Sequence, residues 1–446
     1  MTQSPTPPLT LSQRWMIVLL LVGYAVIGHF NRIGISVAGA EVFIEEKSGN
    51  GESPAEPSSP TKTPFFRVFQ DTQMGWVYSA FLIVYTIAMI PGGWLIDRIG
   101  AARSMTLLGL TMGLFVVLTG VLGWVAGTPH QFWIGLLIVR GLAGIGSAPL
   151  HPGAAHVVSD VVPATGRSTA NSLVTAGAVL GVALSYPVFG KLIDAATWRW
   201  AFVICGFVMM GYALVWSRLV APHLGHIVTA VHTGDSPFEH DHAHWRPLLK
   251  SRDLWLVTLS YVSYGYFQYL FFYWMQNYFK QVLHVPDEKS REAAFLITIA
   301  QGFGMVLGGL CTEFICRHWG LAAGRRIIML ACMGLSGVCA LVAVMLTDAT
   351  QVTLWLALAM GIEGMCESVY WTSVTEIGGK ARGFAGAFMN AGGNVGGFIS
   401  PVLSPYLAQH VGWPAAIGFA CIVCAAGGIA WLWIGTSHAR AVAQSP

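Results

Sequence analysis

The chain has 446 residues, of which 54% are hydrophobic and only 10% charged, with a formal net charge of +3. Soluble domains carry about 25% charged residues, so these totals exclude an ordinary soluble protein, and the small net charge without a basic block argues against a nucleic-acid partner. The first apolar run, from about Trp15, leads into Asn31 and Arg32 without a small-residue cleavage site. It is therefore expected to be a retained span rather than a cleaved signal.

A transmembrane helix needs about 20 mostly apolar residues. Twelve stretches qualify: 15–39, 73–96, 104–126, 131–158, 167–193, 198–219, 253–280, 291–315, 325–346, 351–376, 382–408 and 413–435. The expected fold is an all-α membrane protein of twelve transmembrane helices, because lipid cannot satisfy open strand edges. Between spans 1 and 2, residues 41–72 form a loop rich in Glu, Ser and Pro. Between spans 6 and 7, residues 220–250 form a linker that divides the chain into two six-helix halves, 1–219 and 251–446. Its histidines, His223, His226, His232, His240, His242 and His244, include the run HDHAH. Imidazole is a common ligand for transition metals, but this is not the spacing of a closed site, and the linker is read as a solvated connector with no metal. Cys421 and Cys424 have CxxC spacing in an apolar run and are read as packing residues.

Basic residues in short loops set the orientation. Arg98 and Arg103 follow span 2, Arg167 follows span 4, Arg317, Arg325 and Arg326 follow span 8, and Lys380 and Arg382 follow span 10. The loops after spans 3, 9 and 11 have neither Lys nor Arg. Both termini and the linker are therefore expected in the cytoplasm, and the 41–72 loop outside.

The end of span 2 reads GWLIDRIGAAR, with Gly93, Asp97, Arg98 and Arg103. Gly93 is expected to let two helices approach closely, and the charges to form a lock that holds one conformation and breaks in another. An echo follows span 8, where Gly309 and Glu313 repeat the spacing of Gly93 and Asp97 and are followed by Arg317, Arg325 and Arg326. The motif, its echo and the six-plus-six plan resemble the major facilitator superfamily. That resemblance implies alternating access, with two halves rocking about one central site. No ATP-binding P-loop occurs, so no cofactor is expected and a proton or other ion gradient must supply the energy.

Further segments are similar to the anion:cation symporter family of sugar-acid, hexuronate, sialic acid and related organic-anion carriers. They are PGGWLIDRIG in span 2, RGLAGIGSAPLHPGAAH in span 4, YVSYGYFQYLFFYWMQNYF in span 7 and AFMNAGGNVGGFISP in span 11. Charged groups inside a bilayer are functional candidates by default. Arg32 matches the family's span-1 arginine, which the resemblance implies binds a carboxylate, and Arg140 matches its span-4 arginine. A guanidinium suits this role because it forks onto two oxygens and stays charged; the alternative for either is an internal ion pair. Tyr85, at the family's span-2 tyrosine position, joins Tyr264, Gln268 and Tyr273 of span 7, Ser368 and Trp371 of span 10, and Asn390 and Asn394 of span 11 as candidate pocket residues. Helix packing and interhelical hydrogen bonding are the alternatives for these.

The pattern breaks where many proton-coupled members carry acids. Asn31 and Ser147 stand there, and neither titrates. Candidate replacements are His29, His151 and His156 in spans 1 and 4, and Glu363 and Glu367, four apart in span 10. The glutamates are alternatively partners of Arg32 or Arg140, or coupling is absent. The leading expectation is a monomeric secondary transporter of a small organic anion in a bacterial inner membrane. The alternatives are a carrier of a zwitterion and a transporter-like sensor that binds without flux. No nucleophile–base pair or metal motif points to an enzyme.

Overall fold

The computed structural model describes residues 10–45, 67–148, 150–163, 166–220 and 246–435. The side chain of Asp97, most of the 41–72 loop and the linker's histidines lie outside the described residues. The described chain forms fourteen α-helices. The first seven are α1 (Leu11–Ala38), α2 (Asp71–Ile99), α3 (Ala101–Val125), α4 (Pro129–Ser147), α5 (Leu150–Val161), α6 (Arg167–Leu184) and α7 (Gly190–Leu219). The rest are α8 (Arg252–Gln281), α9 (Asp287–Trp319), α10 (Leu321–Val344), α11 (Ala349–Gly364), α12 (Glu367–Gly378), α13 (Arg382–Val411) and α14 (Trp413–Ile429).

Local chemistry fixes the ends. Thr10 and Gln13 make a reciprocal capping box at the start of α1, and the side chains of Thr128 and Asp348 cap α4 and α11. Each such cap satisfies orphan N–H groups of a first helical turn. The tight turn after α2 and that after α9 both pass through glycine at positive φ, Gly100 at 85° and Gly320 at 79°. The repeat read from the two motifs thus extends to their turns.

Nine stretches of the described chain are long and apolar enough to cross a membrane. One, Thr169–Leu219, is 51 residues long and folds back at Thr197, where φ is 70° and ψ 155°, so it supplies two crossings. α8 and α13, of 30 residues each, are also long enough, about 45 Å at 1.5 Å per residue, and pack against each other. Their lower hydropathy follows from Tyr, Gln, Asn, Ser and Gly turned into the protein rather than toward lipid. Twelve crossings result. The tenth is interrupted midway, between α11 and α12, and α4 and α5 both belong to the fourth.

The core shows how the halves meet. One apolar cluster draws on Ile17, Leu21, Met105, Val157, Val174 and Trp216, all of the first half and near the end that carries the termini. The other runs without a break from Val42, Phe69, Tyr78 and Phe189 of the first half into Phe271, Tyr278 and Trp413 of the second. The halves share a core at the end that carries the 41–72 loop. At the terminal end the first half has a core of its own.

Candidate functional site

Arg32 lies more than three-quarters along α1 and is 7% exposed; Arg140 of α4 is 1% exposed. α4 can approach α2 this closely because residue 144 is glycine: a Cβ there would lie 2.4 Å from the carbonyl oxygen of Phe81. That contact sets both guanidiniums against one ring, with the Arg32 and Arg140 Cζ atoms 5.2 and 5.0 Å from the Phe81 centroid. Arg32 also lies 5.4 Å from the ring of Tyr85 on α2 and 5.1 Å from that of Tyr269 on α8. It donates to the Tyr269 hydroxyl at 2.5 Å. Arg140 donates to the backbone carbonyl of Arg32 at 2.7 Å. The Nε–H groups of both arginines are buried without a partner. Among the described residues neither guanidinium has a carboxylate within 4.0 Å. Cation–π contact contributes up to about 2 kcal/mol when desolvated, which offsets only part of the cost of burying a charge.

The neighbouring polar groups are neutral or basic. Asn31 donates to the Ile27 carbonyl at 3.0 Å, and its own oxygen is buried without a partner. Ser147 donates to the Ala143 carbonyl at 3.2 Å. The rings of His29 and His151 lie 5.3 Å apart, bringing α1 to α5. His156 is exposed and takes no part in this cluster.

A second polar cluster belongs to the last six crossings. Glu363 ends α11 and is fully buried; it accepts from Gln301 Nε2 at 2.7 Å, and its other oxygen has no partner. Glu367 starts α12 beyond the break and accepts from Tyr261 at 3.1 Å and from Trp371 Nε1 at 2.8 Å. Tyr264 stacks on Tyr261 at 5.3 Å. The glutamates therefore do share one cluster, and they are not the partners of Arg32 or Arg140.

The remaining sequence candidates divide. Tyr85 and Tyr264 are buried in these clusters. Asn394 is 5% exposed and reaches Met89 Sδ across the halves at 3.6 Å. Ser368 meets Thr312 at 3.4 Å, and Trp371 is 39% exposed; neither touches the arginines. Gln268 and Asn390 are half-buried and make no side-chain hydrogen bond among the described residues. The close helix approach expected at Gly93 is not made: a Cβ there, or at Gly309, would meet nothing within 4 Å. Arg98 and Arg103 are exposed. Glu313 and Arg317 pair with each other one turn apart at the surface, while Arg325 forms a two-pronged pair with Glu376 of α12 at 2.6 and 2.7 Å.

Sequence reading missed the charged network at the loop end. Arg291, at the start of the eighth crossing, donates to both oxygens of Glu41 at 2.7 Å and to Asp194 at 2.5 Å. Gln276 also donates to Glu41 at 2.7 Å. Asn277 donates to Asp71, and Lys280 to the Ala40 carbonyl. All of these join the two halves. Beside them lies a cavity of about 610 Å³ lined by Lys191, Asp194, Asp287, Glu288, Arg291 and Glu292. Tyr269, Phe81 and Gln301 were also missed; only the count of aromatic residues in YGYFQYLFFYW hinted at the ring cage.

Buried arginines beside the seam of two helical bundles suit the central site of a membrane transporter. The chain belongs to the Major Facilitator Superfamily, whose family model matches residues 14–323 and 307–446. It is 28% identical to a probable sulfoacetate transporter, SauU, of Cupriavidus necator, over 84% of this chain and 82% of that protein. It is 26% identical to a hexuronate transporter of Bacillus subtilis over 69% of this chain and 72% of that one. It is 24% identical to human sialin over 72% and 68%. Among solved structures it resembles a bacterial homologue of the lysosomal transporter Spinster, at a TM-score of 0.67 and 16% identity over 97% of both chains, a likeness of fold. The chain is an integral, multi-pass membrane transporter and not an enzyme.

Proposed function

We propose that the protein is a secondary carrier of small organic anions that works by alternating access, with Arg32 and Arg140 as the anion-binding groups. The observation that carries this reading is the pair of buried guanidiniums with no carboxylate in contact, ringed by aromatic side chains from both halves. A buried charge without a counter-ion is costly, and a substrate carboxylate supplies one. The relatives named for sulfoacetate, hexuronate and galactonate favour the same class of cargo. With the basic loops in the cytoplasm, the end sealed by Arg291 is external and the conformation is inward-facing, in a bacterial inner membrane. Glu363 and Glu367 are the groups best placed to carry a coupling proton, Glu363 buried and Glu367 half-buried, on either side of the junction of α11 and α12 and on neutral donors. The test is a thermal-shift panel of sugar acids, short carboxylates, sulfoacetate and amino acids on wild type and Arg32→Gln, followed by flux of the best hit into proteoliposomes. Carboxylates that stabilise wild type and not the variant support the carrier. Equal stabilisation of both by neutral compounds removes it, and binding without flux turns the reading to a sensor.

A further inference from the structure

The charge balance of the central site carries a more specific statement about the cargo, and it rests on the carrier reading above. Two full positive charges sit against one ring, 5.2 and 5.0 Å from its centroid, and both residues are more than nine-tenths buried. Each helix that touches them presents only neutral or basic groups. α1 offers Asn31 and His29, α4 and α5 offer Ser147 and His151, α2 offers Tyr85, and α8 offers Tyr269 and Tyr273. The carboxylates of Glu363 on α11 and Glu367 on α12 are engaged by Gln301, Tyr261 and Trp371, and neither lies within 4.0 Å of a guanidinium.

Two like charges on one buried ring repel each other, and each lacks a counter-ion. A monoanion neutralises one and leaves the other. Each arginine also keeps an unpartnered, buried Nε–H, so each has an unmet demand for an acceptor. We infer that the transported species is a dianion, a short molecule with two acid groups, one held by Arg32 and the other by Arg140. Its acid groups straddle Phe81, and its apolar middle rests on the aromatic cage. A monoanionic sugar acid would instead need a row of hydroxyl partners, and the rings of Phe81, Tyr85 and Tyr269 face the arginines there.

The experiment compares matched pairs in detergent or nanodiscs: malonate with malonamate and succinate with succinamate, alongside glucuronate and β-alanine. Affinities come from thermal shift and competition on wild type, Arg140→Gln and Arg140→Lys. Losing one charge-assisted pairing weakens binding roughly ten- to a hundredfold. A dianion should therefore bind wild type at least about tenfold more tightly than its half-amide, and Arg140→Gln should erase that difference. Arg140→Lys, which keeps the charge, should retain part of the preference and shows that the loss in Arg140→Gln is not misfolding. Half-amides or glucuronate binding as well as the dianions would overturn the inference and leave the anion-carrier reading standing. Preference for β-alanine would assign the site to a zwitterion and overturn it as well. If no acid in the panel stabilises wild type, both readings fall.

Discussion

At the loop end Arg291 alone among the described residues pairs with both Glu41 and Asp194, and its removal has a calculable effect. Glu41 is completely buried, Arg291 is 6% exposed and Asp194 is 51% exposed at the side chain. Arg291→Met keeps the aliphatic stem and removes the charge, leaving Glu41 with Gln276 as its remaining donor. Stripping one partner from a buried ion pair costs about 3–5 kcal/mol. That cost falls on the conformation in which Glu41 is buried, because opening this end returns the carboxylate to water. At 1.4 kcal/mol per tenfold, the closed-to-open ratio should fall by roughly two to nearly four powers of ten. Hydrogen-exchange mass spectrometry reads this directly: residues 36–44 and 272–291 should exchange faster in the variant, while α3 should not change. Replacing both partners of a buried pair by apolar residues is often neutral, so Glu41→Met with Arg291→Met should restore much of the protection. Asp194→Asn, at a half-exposed site, should matter little. Unchanged exchange in Arg291→Met, or a uniform rise along the whole chain, would refute the seal.

Three further outcomes follow from the same geometry. Glu363→Gln keeps the contact with Gln301 and takes the carboxyl out of titration; flux should lose its response to an imposed pH gradient with the melting temperature nearly unchanged, and persistent pH-driven uptake would exclude Glu363 from coupling. A Cβ on Gly75 of α2 would lie 2.1 Å from the carbonyl oxygen of Pro401 on α13, so Gly75→Ala should wedge the halves apart at the loop end and raise exchange in 36–44 as Arg291→Met does. Thr197→Gly should stabilise the chain by about 1 kcal/mol, measured by unfolding in sodium dodecyl sulfate; a variant less stable than wild type would show that the threonine side chain, not the backbone, governs that turn.

The fold was legible because it is written in period and punctuation. Apolar runs of membrane length marked the crossings, and the expected boundary between residues 193 and 198 falls on the reversal at Thr197. The interruption between α11 and α12 was not legible, because the hydrophobicity of the tenth crossing continues through it. Of the site, Arg32 and Arg140 stood out because charge in an apolar run is rare. The contacts of Tyr269, Phe81 and Gln301 depend on how helices distant in sequence meet, and no periodicity encodes that. The Glu41–Arg291–Asp194 network was hidden for another reason. Each member lies at a helix end, where charges are common and usually solvated, and only the packing of the halves shows Glu41 to be buried.

The two halves carry related skeletons with unlike chemistry, and this difference shapes the site. Gly100 and Gly320 turn the chain at equivalent places, and Gly412 at φ 85° and ψ 158° repeats Thr197, each followed by a tryptophan. The tenth crossing is interrupted between α11 and α12 beside Glu363 and Glu367, while in the fourth Arg140 lies on α4 and His151 on α5. The first half makes its cluster cationic, while the second makes its cluster acidic, with Glu363 and Glu367 each held at one oxygen by neutral donors from Tyr261, Gln301 and Trp371. Tyr269 is the part of the second half that reaches across to Arg32, so a ligand that displaces this hydroxyl from the guanidinium acts on both halves at once.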